Sequence, residues 1–146
     1  MDELDRKITS ILQQDGRASN ASIARKLNVS EGTIRRRLKR LIKEKAIQIL
    51  ALPEPAKLGL GTEALVALQV DPGQLEEVAE SLAGVTVTVY VSANTGAFDI
   101  FTWVALPSQE ALHSFLLNTV GTIPGVKRSE TFVNLSVKKR SFSPIS

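Results

Sequence analysis

Between Ser30 and Lys45 the chain reads SEGTIRRRLKRLIKEK. Its apolar residues Ile34, Leu38, Leu41 and Ile42 stand at i, i+4, i+7 and i+8, the stripe of an α-helix with one dry side. The other side is polar throughout, and the stretch carries seven of the chain's 18 Lys and Arg. A helix of this kind packs along one edge only. Its basic side is then either a solvated face or a surface that touches something anionic, and the surrounding sequence decides between the two.

The charge is unevenly spread. Residues 1–45 hold 12 Lys and Arg against 6 Asp and Glu, a net of +6, whereas residues 46–146 hold 6 against 9, a net of −3. Such asymmetry points to a nucleic acid or anionic surface as partner of the first half, and to two domains with different tasks. A chain of 146 residues with 43% hydrophobic content can build two small cores. There is no Cys, so neither a disulfide framework nor a thiolate metal site is expected. No run approaches the ~18 apolar residues that span a bilayer, and MDELDRK is charged from the start, unlike a secretory leader. A cytoplasmic protein without a membrane partner is expected.

Two shorter helices precede the basic one. Leu4, Ile8, Ile11 and Leu12 give one apolar stripe from Asp2 to Gln14, with Asp2 and Glu3 in the first turn and Asp15-Gly16 as the stop. Ser19 caps a second helix through Ile23, Ala24 and Leu27, Asn28-Val29 turns, and Ser30 caps the third, which is expected to run to about Lys45. This spacing is a helix-turn-helix, whose second element enters the DNA major groove. Thr33, Arg36 and Arg37 are the expected operator contacts, with Arg35, Lys39 and Arg40 on phosphates and Ser30 near base edges. The terminal Lys138-Lys139-Arg140 is either a solvated end or a further contact with the DNA backbone.

After Ile47–Leu52, a β-prone run closed by Pro53-Glu54-Pro55, the pattern changes. Glu63 to Val70 reads as a strand and Gln74 to Leu82 as a helix. Val85 to Ser92 alternates strictly, with Val85, Val87, Val89 and Val91 on one side. Phe98 to Leu106 returns as its hairpin partner, Gln109 to about Val120 is a helix, and Val126 to Val137 is the last strand. The order β-α-β-β-α-β is the ferredoxin-like arrangement, with both helices on one face of a four-stranded sheet. The strands carry apolar residues on both sides, so the second face needs a cover, most simply another subunit's sheet.

No constellation for catalysis is visible. His113 is the only His and sits among Leu112, Phe115 and Leu116 on a packing helix. No metal-ligand spacing, nucleophile triad or phosphate-binding Gly-rich loop occurs. Neither an enzyme nor a cofactor is expected.

Taken together, MDELDRKITSILQQDGRAS and SIARKLNVSEGTIRRRLKRLIKEKAI resemble the N-terminal domain of the Lrp/AsnC family of transcription regulators. The matching residues are Leu4-Asp5, Ile8, Asp15-Gly16-Arg17, Ser30, Thr33 and Arg37-Leu38-Lys39-Arg40-Leu41. Gly121-Thr122-Ile123-Pro124-Gly125-Val126 and Thr95-Gly96-Ala97-Phe98-Asp99 resemble segments of the family's second domain. Two departures stand out. Lys45-Ala46-Ile47 replaces a Gly-Val-Ile ending, and Gly32 stands where many relatives carry Pro.

The resemblance implies an α+β protein: a winged-helix-like helix-turn-helix domain over 1–46, a strand and linker over 47–61, and a ferredoxin-like effector and oligomerisation domain over 62–146. It implies double-stranded DNA as partner, an amino acid or related small molecule as effector, and homodimers assembling to tetramers or octamers. It pairs the 47–52 strand with that of a second subunit, whereas the residues alone fit equally a wing on the chain's own helices. It places the effector against Thr95, Gly96, Ala97, Phe98, Asp99 and Thr122. The plainer reading is that Thr-Gly is a turn pair and Asp99 bonds the hairpin backbone. The expected function is a sequence-specific, effector-controlled transcriptional regulator. The alternative is a nucleoid-type architectural DNA-binding protein of low sequence preference.

Overall fold

The computed structural model describes residues 1–141. They form two compact units that divide between Leu52 and Pro53, and the described tail from Lys139 groups with the first unit rather than with the sheet.

The first unit holds three helices, α1 (Glu3–Gln14), α2 (Asn20–Leu27) and α3 (Glu31–Lys43). Each begins on a side-chain cap, Asp2, Ser19 and Ser30 accepting from the N–H three residues on. Ile8, Ile23, Ala24 and Ile34 are the buried centre, with Leu4, Ile11, Leu12 and Leu27 packed around them. Ile42, expected in the apolar stripe of α3, is 46% exposed and lies on its rim.

Helix α3 stops two residues short of the expected Lys45. Lys45 takes φ 54° and donates its N–H to the Ile42 carbonyl, while the Ala46 N–H reaches back to Leu41 at 2.9 Å. This pair of bonds is a Schellman motif, the usual helix ending. Asn28 ends α2 the same way at φ 54°. Asn tolerates the left-handed conformation, but Lys does so at a steric cost of about 1 kcal/mol. The loss of Gly therefore leaves the closure intact and strains it. Lys45→Gly is expected to stabilise the helical unit by roughly 0.5–1 kcal/mol, read as a higher denaturation midpoint at unchanged slope.

The run Ile47–Leu52 forms no strand ladder among the described residues, nor a wing hairpin on the helices; Ile49, Leu50 and Leu52 are exposed. A lone β-prone segment has no backbone partner within one chain, so its propensity alone does not form a strand.

The second unit runs β1 (Thr62–Val70), α4 (Leu75–Ala83), β2 (Thr88–Ala93), β3 (Ile100–Leu106), α5 (Gln109–Asn118) and β4 (Val126–Val133), with a 3-10 turn at Val120–Thr122. Its sheet is antiparallel in the order β2-β3-β1-β4, the ferredoxin-like topology. Ala64, Val66, Leu68 and Val70 point to one face. There they pack with Ile100, Val104 and Leu106, with Val78 and Leu82 of α4, and with Leu112 and Phe115 of α5. Thr102 is in the same layer, fully buried, and its hydroxyl has no hydrogen-bond partner among the described residues. Thr102→Val keeps the shape and removes that orphan, so the sheet unit is expected to gain about 1 kcal/mol in chemical denaturation.

Three strands differ from expectation by more than one residue, and the smallest difference of these is β3, which starts at Ile100 rather than Phe98. The alternation from Val85 to Ser92 breaks at a bulge: Thr88 faces Val104 and Tyr90 faces Trp103, leaving Val89 as the extra residue. Val85, Val87 and Val91 pack on the core while Val89 is 54% exposed, and the ladder begins only at Thr88. Strand β4 ends at Val133 rather than Val137; the Asn134 N–H still reaches Glu63, and Leu135 is fully exposed.

Opposite the helices, the register sets Tyr90, Trp103, Leu65 and Phe132 in one row across all four strands. Nothing in the chain's own second unit covers this row at its ends, where Tyr90 and Phe132 are exposed.

Candidate functional site

Helix α3 carries Arg35, Arg36, Arg37, Lys39, Arg40 and Lys43, and the structure sorts these cations into two sets. Three are held by carboxylates. Arg35 donates to Glu31 one turn back at 2.8 Å, in solvent. Arg37 donates through one nitrogen to Asp2 and to Asp5 Oδ1, and Arg40 donates to Asp5 Oδ2 at 2.5 Å. Arg36, Lys39 and Lys43 have no carboxylate partner among the described residues and are exposed.

The second set lies on one line. At 3.6 residues per turn, Gly32, Arg36, Lys39 and Lys43 fall within about 60° of arc, opposite Ile34 and Leu41. Gly32 is exposed at the start of that line, and beyond its own helix backbone and chain neighbours no described atom lies within 4 Å of where a Cβ would stand. The line is therefore low at its N-terminal end and cationic beyond it. Thr33 and Arg40 flank it on one side. Ser30 and Thr33 share a 2.8 Å hydroxyl contact, and Ser30 also accepts the Thr33 N–H, so both hydroxyls work in the cap.

Arg37 was expected on the exposed basic face. Its side chain is instead only 26% exposed and is turned to the start of α1. The reason is Asp5, whose side chain is 1% exposed and accepts from Arg37, Arg40 and the Asp2 N–H. A buried carboxylate needs such partners. Asp2 completes the group as a capping box, taking the Asp5 N–H on Oδ1 at 2.9 Å. The Arg37 hydrogen bond, then the Asp5 N–H, draws the Asp2 carboxyl down from 3.8 to about 2. Burial alone would raise the Asp5 carboxyl, but the Asp2 N–H and the two guanidiniums outweigh it and hold it low. Arg37 is correspondingly held protonated, by Asp2 first and Asp5 second.

These carboxyls are lowered in the folded state, so their stabilisation is present above the unfolded value and lost as the pH falls through the folded one. The helical unit is expected to lose stability progressively between about pH 4 and pH 2. Far-ultraviolet circular dichroism checks this, and Asp2→Asn should make the decline shallower.

In the second unit the 94–99 loop joins β2 to β3, with Gly96 at φ 112° and Thr95, Gly96 and Ala97 exposed. Asp99 does not bond the hairpin alone. Its carbonyl takes the Asn94 N–H, its N–H reaches Leu68, and its Oδ2 accepts the Val70 N–H at 2.9 Å, beside the β1 bulge. Gln69 Nε2 donates to Ala97 at 2.8 Å, so the loop is tied to the end of β1 at two points. Phe98 packs edge-on to Phe101, and Arg128 lies 5.9 Å over the Phe98 ring. Arg128 was not singled out from the sequence, because only the β1–β4 register brings it beside the loop. Thr122 stands apart. Its hydroxyl lies 3.0 Å from the Asn118 and Thr119 carbonyls at the end of α5, and no hydrogen bond among the described residues joins it to the loop.

Lys138 and Lys139 are exposed and Arg140 is half-buried. Among the described residues no group of three or more His, Cys, Asp or Glu could hold a metal ion, and no helix is long and apolar enough to cross a membrane.

Comparison with known proteins gives a consistent result. Residues 1–42 match the model of the AsnC-type helix-turn-helix domain, and residues 63–144 that of the Lrp/AsnC ligand binding domain. An uncharacterised HTH-type transcriptional regulator of Pyrococcus furiosus is 41% identical over 146 residues, covering 99% of each chain. The crystal structure of a Neisseria meningitidis transcriptional regulator in complex with L-Met is 26% identical, with a TM-score of 0.88 over 99% of this chain and 96% of that one. AsnC of E. coli superposes with a TM-score of 0.86 over 99% of each chain at 24% identity, a likeness of fold.

Proposed function

The chain belongs to the Lrp/AsnC family of helix-turn-helix transcriptional regulators, which are not enzymes, and from that membership we propose that it reads a specific operator through α3 under the control of an amino-acid effector bound by its second unit. The observation that carries the reading is the line Gly32, Arg36, Lys39 and Lys43. A helix entering the major groove needs an exposed face whose first turn lets backbone approach bases and whose cations are not already neutralised. Arg36 is the base reader, with Thr33 beside it. Lys39 and Lys43 hold phosphates, and the exposed Lys138 and Lys139 are further candidates for backbone contact. Arg35 and Arg40, each held by a carboxylate, contribute only where phosphate replaces that partner. Arg37 serves the contact with α1.

The effector is proposed to sit on the 94–99 loop. The open Gly96 backbone, the Asp99 carboxylate with one oxygen still unbonded among the described residues, and the Arg128 guanidinium offer acceptors and a donor for a zwitterion. The L-Met complex of the Neisseria meningitidis regulator supports an amino acid as the class. Thr122 contributes only if the effector spans to the end of α5. Homodimers are proposed to form through the row Tyr90, Trp103, Leu65 and Phe132, and to complete the 47–52 segment as a strand, with tetramers or octamers above them. A DNA-binding regulator of this kind works in the cytoplasm.

The test is fluorescence anisotropy on the gene's own upstream DNA and on a scrambled duplex, at two salt concentrations, with and without a pool of amino acids. Preference for the upstream DNA, shifted by the pool, is the expected result. Equal binding to both, steeply lost with salt and blind to the pool, would instead make this an architectural DNA-binding protein.

A further inference from the structure

We propose that Asp2 sets how firmly the basic helix holds any duplex: with Asp5 it forms a counter-charge that withholds Arg37 and Arg40 from the DNA backbone and so limits sequence-independent binding. The inference rests on α3 being the DNA-facing helix.

Non-specific affinity grows with the number of phosphates a protein neutralises, and each one gained steepens the dependence on salt. A phosphate contact common to every sequence adds alike to operator and random DNA, so withholding one lowers overall affinity and salt dependence while the gap between the two is kept. A basic helix with six cations would bind any duplex firmly. On this helix the excess is trimmed by position. Asp5 is buried and occupies a guanidinium nitrogen of both Arg37 and Arg40. Asp2 is at the surface, its side chain 53% exposed, and holds the same Arg37 nitrogen that Asp5 takes. A phosphate approaching Arg37 meets that carboxylate first and must displace it. Both carboxyls are held low, so the counter-charge persists at any working pH.

Asp2 also caps α1, which complicates a simple deletion, but the two roles separate chemically. Asparagine caps as well as aspartate and keeps the oxygen that accepts the Asp5 N–H. It removes the charge and the Oδ2 acceptor that Arg37 uses, and leaves the cap. Glu3 supplies the control: it is one residue along and equally acidic, and it pairs with Lys7 on its own helix instead of with α3.

The experiment compares the full-length protein with Asp2→Asn and Glu3→Gln on a random duplex and on its own upstream DNA, across a salt series. Asp2→Asn is expected to tighten random-duplex binding several-fold and to steepen the logarithmic salt slope by about 0.9, one phosphate gained. Binding to upstream DNA should tighten by a similar factor, leaving the preference unchanged, while Glu3→Gln changes the slope little. An unchanged slope and affinity in Asp2→Asn would overturn the proposal and leave Asp2 as a cap. So would weaker binding to both duplexes, which would make the pair a strut that DNA binding requires, or an equal effect of Glu3→Gln, which would make it net charge alone. If the unmodified protein binds neither duplex, the failure lies in the assignment of α3.

Discussion

Arg36→Ala is expected to weaken binding to the chain's own upstream DNA roughly ten- to a hundredfold, the loss of about 1–3 kcal/mol that one bidentate base contact is worth. Arg36 is on the exposed line, one turn beyond Gly32, with no carboxylate partner among the described residues. A guanidinium there arrives at the groove without first breaking an ion pair, unlike those of Arg35, Arg37 and Arg40. The helix fold does not depend on it, so the melting curve should be unchanged. Lys39→Ala and Lys43→Ala provide the contrast. Each should weaken all sequences alike and reduce the salt slope by about 1. Anisotropy on the upstream and scrambled duplexes separates the two behaviours. An equal loss on both duplexes for Arg36→Ala would move it to the phosphate class.

Much of this arrangement was legible before any coordinates. The apolar stripes of α1 and α3, the caps at Ser19 and Ser30, and the β-α-β-β-α-β order depend on local pattern, and local pattern is what a sequence displays. What was not legible depends on residues far apart in the chain. Asp5 and Arg37 are 32 positions apart, and nothing in either neighbourhood announces that one will bury its charge against the other. Asp2 was visible as a first-turn acid, which is half its role. The i, i+3 spacing shared by Asp2/Asp5 and Arg37/Arg40 is the one signal that could have been used, since residues three apart on two packed helices can meet as pairs. Lys43 lies beyond the Arg run, and only the helical arc, not charge density, places it on the exposed line.

The same distinction explains the strands. The Val alternation gave the right element with its start misplaced, because a bulge at Val89 depends on the partner strand. For the 47–52 run, β propensity states a preference that one chain cannot satisfy. In the loop, Asp99 was expected against the effector or on the hairpin backbone; its side chain accepts from the backbone of β1, reached through the sheet rather than along the sequence.

Arg37→Ala is the substitution for which position in the fold reverses the expectation from charge alone. Read as one more cation on a basic face, it should cost DNA affinity and spare the fold. Read from the structure, its loss leaves the Asp5 carboxylate, 1% exposed, with Arg40 and one N–H as its remaining partners, and Asp2 without its cation. Removing one partner from a buried ionic group exposes the desolvation cost that the partner had offset. The helical unit is therefore expected to melt several degrees lower, while the sheet unit, with its own core, keeps its transition. The acid sensitivity between about pH 4 and pH 2 should shrink with it, since the Asp2 carboxyl returns toward its ordinary value once the guanidinium is gone. Arg37→Lys should recover only part of the loss: one nitrogen serves both carboxylates, but an ammonium is more strongly hydrated than a guanidinium and costs more to bring against the buried Asp5. Differential scanning calorimetry at pH 7 and pH 3 makes the comparison directly. An unshifted first transition together with a tenfold loss on the upstream duplex would return Arg37 to the DNA interface and reduce its contact with α1 to a surface ion pair of little weight.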